Sequence, residues 1–132
     1  MSRLEATIIN IDNVDSLNIV SFSFGDSELK MMSLELDDSM SVGTKVLLSI
    51  KPVSVALAKN LNGVLSYLNQ ITSQVEHIEE GKLLSSIKLL ACGNLFESII
   101  TTSSLKRMNL ATGDMVTALI KANEISIAEV LK

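Results

Sequence analysis

Apolar residues along this chain recur at every second position more consistently than at every third or fourth. Val46, Leu48 and Ile50 fall on one face of an extended segment, and Val53, Val55 and Leu57 continue the alternation beyond the Lys51-Pro52 step. IVSFSF (19–24) and LLSSIKLL (83–90) have the same strand character. Gly25-Asp26 and Gly93-Asn94 stand where hairpin turns are expected. Pro52, the single proline, lacks the N–H that a central strand uses and predicts an edge or a bend. Two short stretches predict helical turns: Asp37-Asp38-Ser39-Met40, and Ser103 to Met108, where Ser103 or Ser104 would act as the N-cap.

The pattern is duplicated. VGTKVLLSIKPVSVALA (42–58) aligns without gaps on TGDMVTALIKANEISIA (112–128), pairing Gly43 with Gly113, Lys51 with Lys121 and Ala58 with Ala128. A weaker match joins Ala6-Thr7-Ile8-Ile9 to Gly63-Val64-Leu65-Ser66, each preceded by a Leu (Leu4, Leu61). The two matches have different offsets, so an insertion is expected within residues 69–81 of the second copy. Asn-Leu-Asn-Gly at 60–63 supplies turn chemistry between the copies. The expected organisation is all-β, with a module at 1–60, a module at 61–132, and a short helical turn in each.

Composition narrows the function. The chain has 132 residues, 47% of them hydrophobic, enough for a buried core. Aromatic residues make up only 3%, and eleven Lys and Arg face fifteen Asp and Glu for a net charge of −4. Without a basic stripe or stacking platforms, a nucleic-acid partner is not expected. A small-anion site remains compatible, because charges beyond roughly 10 Å are screened and local donors decide. A lone Cys92 argues against a disulfide framework and fits a reducing cytoplasm. No apolar run reaches the ~20 residues of a membrane span, and no signal-type segment opens the sequence.

In the second copy, Ile100-Thr101-Thr102-Ser103-Ser104 leads through Met108, Leu110 and Gly113 to Ile120-Lys121-Ala122-Asn123. A tetrahedral dianion offers acceptors and no donors, so it requires converging O–H and N–H groups and some positive charge. Thr101, Ser103 and Ser104 supply short hydroxyls, Ala122 and Asn123 backbone amides, and Lys121 an ammonium group. This run resembles the Mop or TOBE family of molybdate-binding modules, and a tandem pair is similar to a di-domain molbindin. The resemblance implies two OB-like small barrels and molybdate or tungstate as bound ligand, without a catalytic cofactor. It also implies a homo-oligomer, a trimer ahead of a dimer, with the oxyanion where subunits or modules meet, serving storage, buffering or homeostasis. It further implies a basic segment ahead of each first strand, for which Lys59-Asn60 and Ser2-Arg3 are the candidates.

The first copy departs from the motif. By the same offset Met31 and Leu34 stand at the places of Thr101 and Ser104, Ser33 at that of Ser103, and Pro52 follows Lys51 and deletes an amide donor. Its site is expected to be degraded, with Lys51 a weaker contributor than Lys121. The plainer readings are a solvated lysine for Lys51 and Lys121 and an ordinary N-cap for Thr101–Ser104. His77 and the acidic residues Glu76, Glu79 and Glu80 read as solvent-exposed, Cys92 as a small buried residue, and Met31-Met32 as core filling. No metal site and no nucleophile, base and orienting partner can be assembled, so an enzyme is not expected. The competing function is an oxyanion-sensing module acting through a protein partner.

Overall fold

The computed structural model describes residues 2–131. β1 (Ser2–Val14), β2 (Leu17–Phe24) and β3 (Ser27–Ser33) form an antiparallel meander, and β4 (Lys45–Ile50) returns to pair with β1. After β5 (Ala56–Ala58) the arrangement repeats with β6 (Asn69–Glu80), β7 (Leu84–Ala91), β8 (Asn94–Thr101) and β9 (Met115–Ile120). Alternation drives the burial: Leu4, Ala6 and Ile8 of β1 and Ile71 and Val75 of β6 face inward while their neighbours face water. Both long strands carry a bulge at the same place, between Ile8 and Asn10 and between Val75 and His77, beyond which they run out as mostly exposed ribbons.

The fifth strand of each sheet comes from the other half of the chain. β5 pairs with β9, Leu57 opposite Ala118, and β10 (Ile125–Leu131) pairs with β4, Ile127 opposite Leu48. The sheet orders are therefore β10-β4-β1-β2-β3 and β5-β9-β6-β7-β8. Two 3-10 turns, Pro52–Ser54 and Ala122–Glu124, carry the chain across. Pro52 opens the first of them, where a missing N–H leaves no bond unmade. The strand expected from Val53 onward accordingly starts only at Ala56. One apolar core runs through both halves, including Leu48, Ile50 and Phe22 from the first and Ile71, Leu89 and Ile120 from the second. Each such side chain contributes about 1.5–3 kcal/mol by leaving water.

Polar groups stitch the seam. Ser2 Oγ accepts from the Glu97 amide at 3.0 Å. Asn69, which faces Ile120 as Ser2 faces Ile50, is fully buried. Its Oδ1 accepts from the Lys30 amide at 2.6 Å, and its Nδ2 donates to the carbonyls of Lys30 (2.9 Å) and Ile120 (3.0 Å). Ser98 Oγ donates to the Val55 carbonyl at 2.6 Å, fixing the chain just after its first crossing. Among the described residues no buried side-chain nitrogen or oxygen lacks a partner.

Three expectations are corrected. Residues 69–81 are not an insertion: Asn69–Glu80 is β6, the counterpart of β1, and the apolar residues at 61–66 that mimicked β1 lie in the connection before it, exposed. The extra length of the second copy lies between β8 and β9, where α1 (Thr102–Arg107) forms. The first copy has no helix there among the described residues: 34–44 is shorter than 102–114, and within Asp37–Met40 only Asp38 and Ser39 form a turn. The strand registers, which pair Ser33 with Asn18 and Ile100 with Ser85, then set Ser33 at the place of Ile100 and the following Leu34 at that of Thr101, so Met31 is not the counterpart of Thr101. An apolar Leu34 cannot cap a helix, which accounts for its absence.

Candidate functional site

The hydroxyl run opens α1. Thr101, rather than Ser103 or Ser104, is the N-cap: its Oγ1 accepts from the Ser104 amide at 3.1 Å and donates to Ser104 Oγ at 3.0 Å. Arg107, one turn on, points its guanidinium at Ser104 Oγ from 3.4 Å. Thr101 and Ser103 are exposed and Ser104 is half-buried, so this small cluster of hydroxyls and one cation faces solvent. Thr102 points inward. Its amide donates to the Leu83 carbonyl and its Oγ1 to the Gly81 carbonyl, each at 2.8 Å, while Ser85 Oγ meets Thr102 Oγ1 at 2.8 Å. The start of α1 is thereby pinned to the β6–β7 turn.

The far end of α1 is held from the other half of the chain. Lys59, just past β5, donates to the carbonyls of Met108 (3.1 Å) and Asn109 (2.9 Å) and pairs with the Asp114 carboxylate at 3.3 Å. Asp114 Oδ2 also accepts from the Ala111 amide at 2.9 Å. That amide bond, outweighing partial desolvation, and then Lys59, hold the Asp114 carboxyl below its ordinary 3.8. Cations suit a helix C-terminus, where carbonyl oxygens lack intrahelical partners.

Strand exchange decides which predicted residues meet. Thr101 and Ser104 share a groove with Val53, Ser54 and Tyr67 from the segment before β6, and with Glu124. Lys51 and Asn123 are brought together in a neighbouring cavity of about 290 Å³, with Ser49, Ser54 and Ser126. Ser54 and Glu124 line both. Lys121 is exposed and leads into the Ala122–Glu124 turn, whose Glu124 amide returns to the Lys121 carbonyl at 2.9 Å. Arg3 lines a separate hollow with Ser2, Lys88 and Glu97. Asn60 is exposed, at positive φ (+58°), where the chain turns out of β5.

Arg107, Thr102 and the Lys59–Asp114 pair were not identified as a unit from sequence. The Ser104-to-Arg107 spacing of three is a sequence signal for Arg107 alone. Among the described residues no helix is long and apolar enough to cross a membrane, and no group of three or more His, Cys, Asp or Glu could hold a metal ion.

A duplicated small-barrel protein with reciprocally exchanged fifth strands, carrying a hydroxyl-capped helix in one half only, is the class that fold and site define. Residues 65–127 match the family model of the TOBE domain, so the second half of the chain carries a domain of that family. Over 95% of its length it superposes on 93% of the cytoplasmic molybdate-binding protein ModG, in a form with molybdate bound, with a TM-score of 0.89 and 23% identity. The arrangement is thus that of tandem OB-like barrels. A molybdate-binding protein from Sporomusa ovata is similar over 53% of this chain and 100% of its own, with 34% identity and a TM-score of 0.47. No curated protein compared by sequence matches the chain.

Proposed function

We infer that this chain binds molybdate, with tungstate as an equivalent ligand, reversibly and without a chemical step. One observation carries the reading: the TOBE match at 65–127 encloses both the Thr101–Ser104 hydroxyl turn and Lys121-Ala122-Asn123, and among the described residues only this half builds that turn. An oxyanion dianion is satisfied by such donors: hydroxyls with little entropy to lose, backbone amides, and ammonium or guanidinium groups. The complete site forms where copies of the chain or its modules meet, in a homo-oligomer for which a trimer is the first choice. The module at 61–132 carries the intact motif and that at 1–60 a degraded one. Storage or buffering of the oxyanion in the cytoplasm is the role this supports.

Calorimetric titration of one sample with molybdate, tungstate and sulfate tests it. Saturable binding of the first two, weakened about tenfold or more by Lys121→Ala, is the expected result. Heats no different from dilution, or equal affinity for sulfate, remove the proposal.

A further inference from the structure

We propose that Lys59 is a positioning residue for the oxyanion site, acting through α1 rather than by touching the anion, an inference that rests on the function proposed above. Lys59 follows β5, the strand that the first half lends to the second sheet. An ammonium group has three donors. Those of Lys59 meet three acceptors: the carbonyls of Met108 and Asn109 at 3.1 and 2.9 Å and the Asp114 carboxylate at 3.3 Å. All three lie beyond the C-terminal end of α1, whereas Thr101 and Ser104 lie at its opposite end. A helix of six residues has few bonds of its own, so its direction is set by what holds its two ends. Thr102 holds the first through the Gly81 and Leu83 carbonyls; Lys59 holds the second.

The first half shows why the device belongs to the site. There the counterpart of Asp114 is Thr44, whose neutral Oγ1 accepts from the Ser41 amide at 3.3 Å, closing the same turn. No helix and no capping hydroxyl accompany it among the described residues. The charge at 114 is therefore not needed to make the turn. It is needed to meet Lys59, and it occurs where there is a helix to aim. The extended reach of β5 thus couples the first module to the geometry of the anion site in the second.

A double-mutant cycle on the full chain separates this from direct contact. Lys59→Met removes the clamp, and Asp114→Asn removes the charge while keeping an acceptor for the Ala111 amide. Each is expected to weaken molybdate binding about five- to tenfold, with the double variant no weaker than the poorer single one, and with faster amide exchange across α1. Lys59→Arg is expected to recover most of the affinity. Additive losses with unchanged exchange would mean that Lys59 touches the anion itself, and an unaltered Kd in Lys59→Met would mean that it has no part in binding. Either overturns the proposal. Should Lys59→Met not fold, Asp114→Asn and Lys59→Arg give the same comparison. A wild-type chain that ignores molybdate is a separate failure, that of the proposed function. It removes the binding role of Lys59, while the exchange arm still reports on the clamp.

Discussion

A Cβ built on Gly25 would fall 2.4 Å from the Sγ of Cys92 and 2.7 Å from its Cβ. The two residues sit in corresponding hairpin turns, β2–β3 and β7–β8, and the turns are packed against each other. Gly25 is also at φ +56°, where an L side chain is strained. Gly25→Ala is expected to destabilise the fold by about 1–3 kcal/mol, measured by denaturant unfolding. In a Cys92→Gly background the clash disappears and the loss should shrink. An equal loss in both backgrounds would mean that the contact is irrelevant and only the backbone matters.

Asn69→Ala leaves two carbonyls and one amide without partners in the interior and should cost about 2–4 kcal/mol. Ser2→Ala, which removes a single acceptor at the equivalent place, should cost about 1 kcal/mol. Unfolding curves for the two variants decide the order.

Asp114 makes stability depend on acidity in a definite direction. Its carboxyl titrates below the ordinary 3.8 in the folded chain, so ionisation favours folding. The contribution is fully present above the ordinary carboxylate range and is lost as pH falls through the lowered value. Thermal midpoints of the wild type and Asp114→Asn should therefore differ at neutral pH and converge once the pH has fallen through the lowered value. A gap that persists under acid would exclude the carboxylate as its source.

Thr101→Val removes the N-cap and should cost about 1 kcal/mol of stability as well as weakening molybdate binding. Thr101→Asn keeps an N-cap oxygen and should restore the stability. Titration of both variants reveals whether binding follows the cap or the hydroxyl.

Much of this was legible in sequence because burial imposes period two wherever one face of a strand is covered, as in Val46, Leu48 and Ile50 and in Val116, Ala118 and Ile120. The hydroxyl run and Ile120-Lys121-Ala122-Asn123 stood out for the same reason that they suit an anion. Two things did not. Residues 61–66 have the apolar content of a strand but no partner, and pairing partners leave no mark on a single sequence. Strand exchange is equally silent: Leu57 and Ile127 would alternate in the same way beside their own half or the other. For the same reason the sequence did not show that the crossover sets Ser54 beside Thr101 and Asn123 beside Lys51.

During synthesis the first half is complete in every strand but one long before the ribosome reaches Ile125–Leu131, the segment that must lie along β4. Until then β4 has a bare edge, open to any passing extended chain. The first sheet therefore gains its fifth strand only once residues 125–131 have been made, whereas β5, the strand lent to the second, is already there to receive β9.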